Sequence, residues 1–414
     1  MDEACLAQLE SSWKELLAQQ EGSVKERTFY SVLWRLRLDD VSNDAFRSWP
    51  STVRLQRRAY RHLQNRLAFV WQGPLVPIDD EDMHPLQEAT PRQKMDNIKA
   101  TQELIALDLK RLSELPSDAG VASLQRILTI WSLTQSDYDY RQGMHEVASF
   151  LWTLRARESL PTPVDPQKET LDIHSLLAPE EVEADTFFLF SGIMQRLASQ
   201  YFIERAGSPS LIKAILYRVD RILESHLFGL ELEWSPILLR WHRLMYLHEF
   251  PVETNTLLWD AMIRRDPSLS LLPYVSTVLI LMHRDRLIVS DYIEAMQFLM
   301  HLPTPSSASD LVREAELLHK TPTSEMGIII LRAHAQQPPS LDTPMLESAR
   351  ARLMELSSAH APRVIQNLLN PAEQQGTPNW SPLSQARLHS ESTDTFTQRR
   401  RAMLSLDDVH NRDL

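Results

Sequence analysis

A chain of 414 residues with a formal net charge of −12 lacks the basic excess that duplex DNA or an anionic lipid surface demands of a partner. No two of its 9 glycines are closer than fifteen positions, which excludes the clustered-glycine turns of dinucleotide folds, P-loops and G-x-S-x-G elbows. Hydrophobic residues at 43% are enough for a sizeable core, and the one cysteine, Cys5, cannot form an internal disulfide, which fits a reducing compartment.

The start of the chain, MDEACLAQLE, is acidic where a signal peptide would be basic. Leu6, Leu9, Trp13, Leu16 and Leu17 share one face of a first helix, with Gly22 as its stop. Apolar periodicity then predicts helices near 24–38, 51–71, 95–115, 121–136 and 143–157. Further helices are predicted near 182–199, 209–228, 235–247, 253–265, 272–284 and 289–301. Nothing alternates as a bounded strand, so the expected class is all-α. Residues 73–93 and 158–180, rich in proline and acid, read as long surface loops. The longest apolar stretch, SLSLLPYVSTVLILM (268–282), is too short to span a bilayer and reads as a buried core helix. The helical pattern weakens over 308–369, and from Pro371 the Ser/Thr/Gln/Pro-rich composition predicts disorder. The expected division is an N-terminal helix over 1–22, a main domain over 23–305, an additional helical segment over 306–370 and a disordered tail over 371–414.

Catalytic constellations are few. His145-Glu146 lacks the second histidine of H-E-x-x-H, because position 149 is serine, and no metal site follows. In LIALDLKRL (104–112), Ile105, Asp108 and Arg111 repeat every three residues. Alone, this describes a solvated ion pair on an amphipathic helix. The stretch DYRQGMHEVASFLW (139–152) places Tyr140, Arg141, Gln142 and Gly143 just ahead of a helix face made by Met144, Val147, Ala148 and Leu151. Alone, YRQG describes a turn glycine with a tyrosine packed behind it.

In order, I-x-x-D-x-x-R and Y-x-Q-G resemble the signature of TBC domains, the all-helical activators of Rab GTPases. Other landmarks follow the same order: FYSVLWRLRL (29–38), EADTFFLFSGIM (183–194) and LLRWHRLMYLHEFPVETNTLLWDAM (238–262). The resemblance covers about residues 10 to 303. SSWKELL (11–17) and RDRLIVSDYIEAMQFLMHLP (284–303) resemble the member-five subgroup, which is associated with late-endosomal Rab and the retromer coat.

The resemblance implies a two-lobed helical domain that is not itself an enzyme but a GTPase activator. It would lend Arg111 and Gln142 in trans to a Rab. Ile105 and Asp108 would support the arginine, Tyr140 would pack beneath the loop, and Gly143 would let the backbone turn. Arg141 would be either a rim contact or a plain solvated arginine. Trp241, Phe250, Pro251 and Trp259 would be core and corner residues, and Arg240 with Asp260 a buried ion pair. His84-Pro85-Leu86 stands where the subgroup has an Asn-Pro-Leu loop that docks on retromer; the alternative is an ordinary loop with one tucked apolar residue. No cofactor is expected on the chain itself, since GTP and magnesium would arrive with the Rab. Neither nucleic acid nor a transmembrane segment is expected. The expected location is cytoplasmic, peripheral to endosomal membranes through partners. The other reading the resemblance allows is a non-catalytic Rab- or retromer-binding scaffold with the same fold.

Overall fold

The computed structural model describes residues 28–41, 48–72, 91–112, 116–135, 139–160, 173–202 and 210–334, together with Ser11. Among them every regular element is helical. The expected first helix (Ser11 apart), Cys5, the stretch holding Pro85 and Leu86, and the expected tail lie outside the described residues.

The first half is built around one helix. Helices α1 (Tyr30–Leu38), α2 (Trp49–Arg66), α3 (Phe69–Gln72), α4 (Pro91–Leu109), α5 (Asp118–Thr134) and α6 (Met144–Arg157) are followed by a short α7 (Ile173–Leu176) and the long α8 (Val182–Phe202). On α8, Phe187, Phe190, Ile193, Met194 and Leu197 are buried, and the helix packs against α1, α2, α5 and α6. Trp131 of α5 meets Phe190 edge-on, with ring centres 5.5 Å apart.

The second half runs through α9 (Ser210–Val219), α10 (Arg221–Gly229), α11 (Trp234–Leu238), a π turn (Leu239–Arg243), α12 (Val252–Arg265), α13 (Leu272–Met282), α14 (Arg284–Leu287), α15 (Tyr292–Leu299), α16 (Ala308–Lys320) and α17 (Ser324–His334). The apolar stretch read as a core helix is α13, buried at Leu272 and from Val275 through Leu281 and packed by α9, α16 and α17. No helix among the described residues is long and apolar enough to cross a membrane. Helix α12 packs on both α1 and α16 and so ties the two halves together. At that seam Trp34, Phe150 and Trp259 cluster, with Phe150 and Trp259 ring centres 4.7 Å apart.

Two predicted helices are interrupted for local reasons. The 209–228 helix breaks at Asp220, whose side chain accepts the Leu223 N–H at 3.0 Å and caps α10. The 235–247 helix widens into the π turn and then ends because Met245 and Tyr246 adopt left-handed backbone, φ 46° and 64°. Trp241, Phe250 and Trp259 are buried as expected, but Pro251 is exposed and stands at the N-terminal cap of α12. The expected Arg240–Asp260 pair does not form. Arg240 donates to Glu249, while Asp260 faces α1, accepts from Trp34 Nε1 at 3.1 Å and pairs with Arg264 at 3.0 Å.

Helix α7 lies within a stretch read as loop. Four residues are too few to show periodicity, and distant side chains hold it. Arg57 donates to the Ser175 and Leu176 carbonyls, both at 2.8 Å, and Arg155 donates to those of Leu176 and Ala178. The same arginines, joined by Arg35, converge on Asp185 of α8, at 2.6 Å from Arg35 Nη1 and from Arg57 Nη2 and 3.0 Å from Arg155 Nη2.

Two buried groups should oppose each other in acid. Burial pushes the Glu158 carboxyl up to about 7, against the bonds it accepts from Ser31. Burial pushes His242 down to about 4. A raised carboxyl favours the fold below its unfolded value of 4.5, and that advantage is lost as pH rises through about 7. A depressed imidazole does the reverse: it costs stability as pH falls from 6.5 through about 4. Between 4.5 and 6.5 the two slopes cancel. In Glu158→Gln the His242 slope is no longer offset, so stability should climb across that window by about 2–3 kcal/mol more than in the unchanged chain. Melting curves of both proteins against pH check this; parallel profiles would refute the assignment.

Candidate functional site

The site forms where the end of α4 meets the start of α6. Helix α4 stops at Leu109, and Arg111 lies in the following turn, its N–H bonded to the Asp108 carbonyl at 3.0 Å. Ile105 is fully buried and fixes the inner face of α4. Asp108, one helical turn on from Ile105, is 1% exposed at its side chain, whereas Arg111 is 66% exposed. Their side chains meet at 3.2 Å. The guanidinium is thus held at one corner and otherwise largely presented to solvent.

Opposite it, residues 141–144 close a tight turn. The Met144 N–H bonds the Arg141 carbonyl at 3.1 Å, and Gly143 has φ 99°. Gln142 is not among the residues with positive φ, so this is a type II turn with Gln142 at its second position and Gly143 at its third. A β-carbon at Gly143 would be strained, which explains a glycine in so glycine-poor a chain. Arg141 and Gln142 are exposed, while Tyr140, Gly143 and Met144 are buried.

A buried polar chain joins the two sides. Tyr140 Oη donates to Asp108 Oδ2 at 2.9 Å and lies 3.0 Å from His145 Nδ1. The Gly143 N–H donates to that nitrogen at 3.4 Å. His145 Nε2 faces Glu146 Oε1 at 4.0 Å, and the other Glu146 oxygen is paired with His248 from the turn before α12. Burial pushes the His145 imidazole below its ordinary value, against the pull of Glu146 and Asp108. The His248 imidazole is raised by its bond to Glu146.

Ile105, Asp108, Arg111, Tyr140 and Gly143 therefore come together, and Gln142 sits at the tip of the turn that Tyr140 enters. Pro85 and Leu86 lie outside the described residues. Sequence reasoning passed over His145, Glu146 and His248. The adjacent His-Glu pair matches only half of a zinc motif, and nothing in the sequence joins position 146 to 248. Among the described residues no group of three or more His, Cys, Asp or Glu is placed to hold a metal. What the site offers is an exposed guanidinium and an exposed carboxamide on one rigid support. Such a pair can stabilise charge and orient a small molecule on a group that another molecule brings.

The family description of the Rab-GTPase-TBC domain matches residues 79–288. TBC1 domain family member 5 of Mus musculus is 26% identical over 341 residues, 72% of this chain and 41% of that protein. Its Homo sapiens counterpart is 25% identical over the same length, 42% of that protein. This chain thus spans about two fifths of the length of those relatives. The GTPase-activating protein GYP1 of Saccharomyces cerevisiae is 24% identical over 147 residues, 33% of this chain and 23% of that protein. The crystal structure of the Ypt/Rab-GAP domain of Gyp1p superposes with a TM-score of 0.54 at 19% identity, covering 76% of this chain and 98% of that one. That likeness concerns the fold.

Proposed function

The chain belongs to the Rab-GTPase-TBC domain family, and on that premise we propose that it accelerates GTP hydrolysis by a Rab, with Arg111 and Gln142 acting in trans. Hydrolysis needs charge neutralised around the transferring phosphoryl group and a water held in line for attack. Arg111 supplies the first, because its planar fork of donors can reach phosphate oxygens while one corner stays on Asp108. Gln142 supplies the second, because a carboxamide both donates to and accepts from a water. GTP and Mg²⁺ come with the Rab. The observation that carries the reading is the link Arg111–Asp108–Tyr140, which seats both exposed side chains on one buried polar chain.

On the likeness to member-five proteins, we further propose that it works at endosomal membranes, reached from the cytoplasm through partners. Retromer is the proposed second partner, met by Pro85 and Leu86. The proposed activating unit is 23–305. Helices α16 and α17, which follow it, share a buried core with α12 and α13 through Leu311, Val312, Ala315, Leu318 and Ile330.

The test separates two fingers from one. Gln142→Ala should retain Rab binding and lose most stimulated hydrolysis, by on the order of 10²-fold or more. A Rab whose own switch glutamine is replaced by leucine should still be turned over, since the glutamine used is Gln142. An inert Rab variant that nevertheless binds, read by phosphate release, would leave Gln142 as a turn residue only.

A further inference from the structure

Tyr140 Oη donates to Asp108 Oδ2 at 2.9 Å and lies 3.0 Å from His145 Nδ1. The Asp108 carboxylate is buried, and a buried carboxylate left without a donor is costly. The Gly143 N–H donates to His145 Nδ1 at 3.4 Å, so that nitrogen accepts from the turn while it packs against the Tyr140 hydroxyl at 3.0 Å. Contacts therefore run from the Gly143 amide through His145 to Tyr140 and Asp108, with Arg111 closing the far end. His145 is the first side chain behind the turn that presents Gln142, and Gly143 of that turn lies against the same ring nitrogen.

We propose that His145 is a positioning residue: by holding the Gly143 amide and the Tyr140 hydroxyl against one ring nitrogen, it keeps the Gln142 turn and the Asp108–Arg111 pair in one working arrangement. This rests on the activating role proposed above. Charged or titratable groups face the imidazole from three sides. Helix α4 brings Asp108 and Arg111, the histidine's own helix brings Glu146, and the turn before α12 brings His248. Burial pushes the ring below its ordinary value, which favours the neutral form, and its contacts to Gly143 and Tyr140 are those of a hydrogen-bonding ring nitrogen. A histidine that merely fills space would be served equally by any side chain of its size. A positioning histidine would not.

The experiment uses the full chain with a GTP-loaded Rab that it accelerates, in single turnover across a range of activator concentrations. His145→Ala should lower the saturating rate on the order of 10²-fold, with the half-saturating concentration unchanged. His145→Asn places a carboxamide where Nδ1 stands, with an oxygen able to accept from the Gly143 N–H, and should recover most of the rate. His145→Gln reaches the Nε2 position instead and should not. Tyr140→Phe keeps the ring and removes the hydroxyl. It should lose a similar factor, and adding His145→Ala should cost little more. Losses that multiply, or equal rates for the Asn and Gln variants, would overturn the proposal. Should His145→Ala fail to fold, Tyr140→Phe with His145→Asn carries the comparison. If the wild-type chain accelerates no Rab, the activating role falls. Hydrogen exchange at the amides of 140–143 then decides the link by itself: faster in His145→Ala supports it, unchanged refutes it.

Discussion

Arg111→Ala should lower stimulated GTP hydrolysis about 10³-fold or more, roughly 4 kcal/mol of transition-state stabilisation, and leave the fold intact. Both halves follow from where the side chain sits. It is mostly exposed, and its polar contact within the protein is Asp108 at 3.2 Å. A half-solvated pair of this kind contributes ~1 kcal/mol or less to stability. Asp108 keeps its bond from Tyr140 when Arg111 is removed, so no buried charge is orphaned. The loss should therefore fall on the rate. Arg111→Lys should not restore it, because an ammonium on a flexible stem cannot span two phosphate oxygens as a guanidinium does. Phosphate release in single turnover and a melting curve read the two quantities separately. Full activity in Arg111→Ala would remove the catalytic assignment, and a collapsed melting temperature would mean the side chain is structural.

The helices were legible in the sequence because their apolar residues recur at helical spacing, and this alone locates α6, α8, α12 and α13 within a few residues. It fails where side chains far away decide the backbone. The four residues of α7 are helical because Arg57 and Arg155 hold their carbonyls, from over a hundred and over twenty positions away. The breaks at Asp220 and at Met245–Tyr246 come from a cap and from left-handed backbone, neither of which apolar spacing records. The candidate site divides in the same way. Asp108 and Arg111 are three positions apart, so their pairing is a local inference. The contact of Tyr140 with Asp108 spans 32 positions and that of Glu146 with His248 spans 102, and no spacing rule reaches so far. Gly143 was legible in kind: a glycine before a helix suggests a positive φ, and the turn has one.

Asp185→Asn should destabilise the fold by about 3–5 kcal/mol or more, a large share of what a domain has in total. Asp185 is nearly inaccessible, and three guanidiniums from α1, α2 and α6 converge on it. They hold its carboxyl down to about 2, so the ionised form persists well into acid. Asparagine has nearly the same shape but no charge, and its amide nitrogen would point donors at donors. Three buried cations would then lack their shared counter-ion. The arginine side should behave differently. Arg35→Met removes one cation of three and leaves Asp185 with two, though it also takes a donor from the buried Gln56 carboxamide and a 3.9 Å partner from Asp39. With two guanidiniums still on Asp185, the loss should be smaller, about 1–3 kcal/mol. Equilibrium urea unfolding of the two variants measures the difference. Equal losses would mean that packing volume, not charge balance, sets the stability of this centre.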